Sequence, residues 1–187
     1  AQQGKPDAAL AAFMKIEEQY PTSDEAAEAS YQQALVFKSI NQIDPAVKKF
    51  EATILKYPKT AAGDRSKVAL GWLNHGAENY ARASEYFKAV ATNRSDELGA
   101  EAQYALGLTQ QASKNYPEAI ISFMRVKYVF PAATEWIVKA YFNLGECYEK
   151  TNQKQKAKES YTFVVKQAKG TELVAEAGRR LKSLEQL

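Results

Sequence analysis

Residues 107–131 read "GLTQQASKNYPEAIISFMRVKYVFP", and four of them set the fold. Gly107 is followed twelve positions later by Ala119, four later again by Phe123, and eight beyond that by Pro131. The same order returns on both sides of this stretch. The small residue is Ala34, Gly71, Gly107 and Gly145, and the alanine is Ala9, Ala46, Ala83, Ala119 and Ala157. The ring is Phe13, Phe50, Phe87, Phe123 and Tyr161. Successive alanines lie 37, 37, 36 and 38 residues apart. A period of this size marks an array of supersecondary units, each unable to bury its apolar face alone.

Alanine and ring at i and i+4 share one helix face. Glycine inside a helix costs about 0.5–1 kcal/mol relative to alanine. Its periodic return points to backbone contact between helices, with no room for a Cβ larger than alanine's. The unit is therefore two packed helices, the first crossing at glycine and the second at alanine. The spacing predicts first helices over 24–39, 62–76, 96–112 and 134–150. Second helices are predicted over 6–19, 43–57, 79–92, 116–130 and 153–168, and a final one from about 172, capped by Thr171. All six prolines (6, 21, 45, 58, 117 and 131) fall at these boundaries. Asp44 is the expected N-cap of one second helix, with Pro45 in its first turn.

The joints between units share a phrase: "YPTS" at 20–23, "YPKT" at 57–60 and "FPAAT" at 130–134. Ser23 is expected to cap the helix that follows, and Tyr20 to pack between helices. "TNRSD" at 92–96 has Ser95 in place of proline and is the joint expected to differ most. No strand-like alternation competes, so the chain reads as all-α.

Small residue, alanine, ring and proline in this order resemble the tetratricopeptide repeat (TPR) family. Pro21, Pro58 and Pro131 fill the family's proline slot, with Ser95 and Lys169 standing in elsewhere. The family's tryptophan position is Tyr141 here, and Ser30, Lys67 and Gln103 in the other units. The units exceed the usual length of roughly 34 residues. The resemblance implies a right-handed α-solenoid of helix hairpins with a C-terminal capping helix, forming one array over 1–187. Its parts would be the second helix of a truncated repeat (1–22), repeats 23–60, 61–95, 96–132 and 133–170, and the cap 171–187, excised from a longer protein. A narrower likeness rests on "FEATILKYPKTAAGDRSKVALGWL" at 50–73. It resembles the bacterial cell-envelope branch, the Tol-Pal coordinator (YbgF/CpoB type) and BamD-type lipoproteins, which implies a periplasmic or envelope-associated scaffold.

In TPR proteins a groove lined by the first helices receives the partner. Counting the glycine as position 8, positions 2, 5, 9 and 12 face it. The implied groove is then Tyr31, Leu35, Lys38, Arg65, Val68, Trp72, His75, Tyr104, Leu108, Gln111, Lys139, Phe142 and Glu146. Glu28, Glu101 and Glu149 occupy the same columns. Chaperone-binding members hold a C-terminal carboxylate with Lys and Asn at such places. Here the equivalents are mostly apolar, so a partner helix or extended segment with apolar anchors fits better. Two alternatives stand beside this: a self-association module using the N-terminal edge, and an accessory domain of an upstream enzyme.

Composition limits the remaining classes. Twenty-five basic and 22 acidic residues leave a net charge of +3, too balanced for a nucleic-acid partner. The longest apolar stretches fall well short of the roughly 20 residues of a membrane span. One cysteine excludes an intramolecular disulfide. His75 is the single histidine, and neither HExxH, a Gly-rich phosphate loop, GxSxG nor a Cys-His pattern occurs. The reading is a noncatalytic protein without metal or cofactor. Cys147 is expected to be a buried small residue, and Lys150, Lys154, Lys156 and Lys158 a solvated face.

Overall fold

The computed structural model describes residues 4–167 and 172–186, and the regular structure among them is helix alone. Ten helices follow in order: α1 (Gly4–Gln19), α2 (Asp24–Ser39), α3 (Ile43–Lys56), α4 (Ala61–Gly76), α5 (Tyr80–Asn93), α6 (Glu97–Ala112), α7 (Tyr116–Val129), α8 (Thr134–Lys150), α9 (Lys154–Gln167) and α10 (Glu172–Glu185). The all-α expectation holds, and the boundaries agree closely with those predicted. The expected cap Thr171 and the stand-in Lys169 lie outside the described residues.

The chain divides into two compact units, residues 1–73 and 74–187. In the first, α1 packs on α2 and α2 on α3. In the second, each helix from α5 to α10 packs on the next, and α6 also meets α8 as α8 meets α10. Within each unit, the described helices touch only near neighbours along the chain, as in arrays of stacked hairpins.

From α2 onward the periodic columns form the core, while Ala9 and Phe13 of α1 are only half-buried. Ala46, Ala83, Ala119 and Ala157 have no exposed surface, and neither have Phe50, Phe87, Phe123 and Tyr161. The glycine column works differently from expectation. A Cβ on Gly107 would sit 2.6 Å from Phe123 Cε1, and one on Gly145 would sit 2.5 Å from Tyr161 Cε1. Glycine therefore admits the ring of the second helix rather than that helix's backbone. Once the ring is seated, its edge occupies the space where a β-carbon would be.

Each hairpin turns through one corner design. Asn41 N–H donates to Lys38 O at 3.1 Å and Gln42 N–H to Phe37 O at 2.9 Å. The paired bonds are a Schellman motif, which closes a helix through one left-handed residue. The motif recurs at Glu78, Lys114 and Asn152, and these with Asn41 are the non-glycine residues of positive φ among the described residues, between 57° and 63°. The corner also corrects one expectation. Its bonds fix the chain before Asp44, so α3 starts at Ile43 with Gln42 as N-cap, and Asp44 sits inside the first turn.

The joints between hairpins use side chains. Ala26 N–H donates to Ser23 Oγ at 3.1 Å, Gly63 N–H to Thr60 Oγ1 at 3.1 Å, and Gly99 N–H to Asp96 Oδ1 at 3.3 Å. Ser23 thus caps α2 as expected. Tyr57 and Phe130 are buried in their joints, at 5% and 2% exposure. Tyr57 packs beside Ala26 and Ala27 of α2, and its hydroxyl donates to Pro21 O at 3.2 Å. Tyr20, expected to pack in the same way, is 60% exposed.

Candidate functional site

The implied groove residues come from the exposed stripes of the first helices, and the structure sorts them into three groups. In the first unit, Arg65 of α4 pairs with Glu28 of α2. Its guanidinium also lies 4.7 Å from the Tyr31 ring centroid, while that ring meets Phe50 at 5.8 Å. Leu35 and Trp72 are half-buried, and Lys38 is exposed. Val68 is not available to a partner. At 5% exposure it belongs to the core, because it lies three residues before Gly71 and so on the packed side of α4.

The second unit joins several of the residues in one polar network across α6, α8 and α10. Tyr104 O–H donates to Asn143 Oδ1 at 3.0 Å. Asn143 Nδ2 donates in turn to Gln111 Oε1 at 3.2 Å and to Glu146 Oε2 at 3.3 Å. Gln111 Nε2 closes the ring by donating to the same Glu146 oxygen at 3.0 Å. Arg180 of α10 then approaches Glu146 at 3.3 Å, Glu149 at 3.5 Å and Glu176 at 3.0 Å. Tyr161 O–H donates to Glu149 from beneath. Three carboxylates thus share one guanidinium, with two side-chain amides also on Glu146 and one hydroxyl on Glu149.

Four predicted residues stand apart from this network. Lys139 turns to Glu135 at 2.6 Å and lies 4.4 Å from the Trp136 ring centroid. Leu108 and Phe142 are half-buried and pack against the core of the second unit. His75 approaches Thr109 Oγ1 through Nδ1 at 3.0 Å. The Thr109 hydroxyl donates to Ala105 O at 2.8 Å, so its oxygen accepts from His75 and the imidazole proton sits on Nδ1.

Electrostatics make these groups fixed rather than reactive. Burial first, and then the Glu146 charge, push the Tyr104 phenol up to about 12, so it remains a donor. The same two causes push the Cys147 thiol up to about 12, which keeps it from acting as a thiolate nucleophile. Burial lowers the pKa of His75 and favours the neutral ring. Among the described residues no group of three or more His, Cys, Asp or Glu could hold a metal ion.

Sequence reading missed Asn143, Arg180 and Trp136. Asn143 directly follows a groove position and lies outside the four counted columns. Arg180 lies beyond the last repeat, where the period says nothing. Trp136 stands one turn before position 2 and rests on Tyr104 at 5.5 Å between centroids.

The chain matches the tetratricopeptide repeat family over residues 28–60, 68–128 and 138–168. This chain is built of tetratricopeptide repeats. The three matches cover the hairpins α2–α3, α4–α7 and α8–α9, so the TPR assignment and the helix pairing agree. No curated protein sequence matches it. Among solved structures, BtubC from P. vanneervenii is similar at 11% identity and TM-score 0.80, over 99% of this chain and 82% of that one. PilF of Pseudomonas aeruginosa is similar at 16% identity and TM-score 0.70, over 98% and 82%. YrrB, described as a TPR protein with an unusual peptide-binding site, is similar at 19% identity and TM-score 0.68, over 94% and 82%. Likeness at these identities establishes the shared repeat fold. The envelope branch named from the joint motif finds no support in these comparisons.

Proposed function

We propose that this TPR chain is a noncatalytic scaffold that binds a partner helix or extended segment along the exposed stripes of its first helices. TPR proteins as a family bind protein or peptide partners. The observation that carries the reading here is the network on α6, α8 and α10. Tyr104, Asn143, Gln111 and Glu146 are locked to one another beside the half-buried apolar side chains Leu108 and Phe142. Such a surface offers apolar contact and hydrogen-bonding groups already held in place, which lowers the ordering cost of binding. YrrB, with its peptide-binding site, supports the reading by analogy of fold. A role in bacterial envelope assembly or coordination, and a periplasmic or envelope location, remain part of the proposal on the strength of the YP-x-[ST] joint.

A photo-crosslinking amino acid placed at Leu35 or at Leu108 tests the reading in the native cell. Leu55, 85% exposed on a second helix, is the control position. The expected result is one discrete adduct from Leu35 and Leu108 and none from Leu55. Equal labelling from all three, or no adduct from the first two, overturns it. An adduct with a second copy of the chain would instead favour self-association.

A further inference from the structure

Three positions on α7, α8 and α9 that meet in space depart from their counterparts in the other repeats. Lys127 of α7 stands where α3, α5 and α9 carry Ile54, Ala91 and Val165, and α1 carries Glu17. Phe163 of α9 stands where the other second helices carry Lys15, Ala52, Ala89 and Arg125, and Tyr141 of α8 where the other first helices carry Ser30, Lys67 and Gln103. Tyr141 and Phe163 stack with centroids 4.0 Å apart. Lys127 Nζ lies 5.2 Å from the first ring and 4.9 Å from the second. No carboxylate pairs with this half-buried ammonium among the described residues.

Beside it opens a groove of about 560 Å³ formed by α7, α8 and α9. Ile137 and Val138, each 7% exposed, form its floor, and Phe163 lines one wall. Tyr128, 69% exposed, stands at its mouth, and Lys127 is its one charged lining residue among the described residues. Val129 and Val165, 43% and 38% exposed, add apolar surface on the same two helices, α7 and α9.

The charge selects the occupant. An ammonium held against two rings gives up part of its water shell there, and its remaining N–H bonds are strongest to an anion. A neutral or basic segment would leave that charge uncompensated, whereas an acidic one completes it. We propose that this groove docks an acidic, apolar segment of a partner protein, with a carboxylate on Lys127 Nζ and the neighbouring apolar side chain between Tyr128 and Phe163. The surface is separate from the α6–α8–α10 network, so either proposal can fail alone.

The test uses the 187-residue protein, labelled with ¹⁵N, and two synthetic probes. One is the peptide Gly-Asp-Leu-Asp-Phe-Gly, and the other has Asn in place of both Asp. The acidic probe is expected to shift amides over 127–130, 134–138 and 163–167 and to bind about tenfold tighter than its amide twin. Lys127→Met, which keeps an apolar body over the rings, should erase that ratio while leaving the remaining amide spectrum in place. Tyr128→Ser should weaken both probes. Equal binding of the two peptides, or a ratio that survives Lys127→Met, overturns the proposal. So do shifts confined to Leu108, Phe142 and their neighbours, or no shift at millimolar probe. Concentration-dependent sedimentation abolished by Tyr128→Ser would assign the groove to a second copy of the chain instead.

Discussion

The joint from α7 to α8 and the joint from α5 to α6 carry the chain through the same passage with different chemistry. The first takes four residues, 130–133, buries Phe130 to 2% exposure, and reaches α8 through Ala133 with no side-chain cap. The second takes three residues, 94–96. Arg94 is fully extended there, at ψ 147° against 59° for Phe130, and Asp96 both caps α6 and pairs with Arg94. One joint is fixed by a buried ring and the other by a cap and an ion pair. The lost residue is the shorter interval in the alanine column. The two are also linked, since a Cβ on Gly99 would lie 2.8 Å from both Arg94 O and Phe130 Cε1. The ring of one joint thus rests on the glycine just beyond the preceding joint.

The sharpest way to break this contrast is Phe130→Ala, which should cost roughly 3–5 kcal/mol through the cavity it leaves. Arg94→Ala should cost no more than about 1 kcal/mol, as befits an exposed pair. Urea unfolding of both variants decides it, and equal losses would mean that the joints do not differ in kind. Next in size, Gly99→Ala should destabilise by about 1–3 kcal/mol through overpacking. In a Phe130→Leu background that penalty should shrink, and a strictly additive double-mutant cycle would deny the linkage.

Asp96→Ala should cost about 1 kcal/mol as a lost N-cap. The hydrogen bond from Arg94, ahead of the Gly99 amide, lowers the Asp96 carboxyl to about 2. Its contribution is therefore complete above the ordinary carboxylate pKa of about 4 and fades as pH falls toward about 2. The gap between wild type and variant should accordingly close over that interval in acid titrations of stability. Smallest, and opposite in sign, Lys114→Gly should stabilise by up to about 1 kcal/mol, because Lys114 occupies a left-handed corner at φ 63°. A lower melting temperature for Lys114→Gly would mean that unfolded-chain entropy outweighs the relief of that corner.

Helix number, order and ends were legible because period, proline and the paired Ala and ring columns all mark the same boundaries. The corners were not. Asn41, Glu78, Lys114 and Asn152 share a backbone shape and no residue type, since the Schellman bonds run between main-chain atoms. The joint at "TNRSD" was flagged correctly by its missing proline, although the sequence did not say that Asp96 would take over the closure. For the candidate site, repeat position told which side of a helix a residue occupies. It could not tell how far a neighbour reaches. Val68 therefore moved to the core, and Gln111 and Glu146 proved to be tied through Asn143 and to Arg180 on a helix outside the period.

Within each unit, no helix touches another more than two steps away along the chain. Damage to such a structure stays local. Cutting a corner or losing the last helix removes the contacts of adjoining hairpins and leaves more distant ones packed. Dilute protease should then shorten the protein in steps of about one repeat, with amide exchange slowing from the ends toward the middle of each unit.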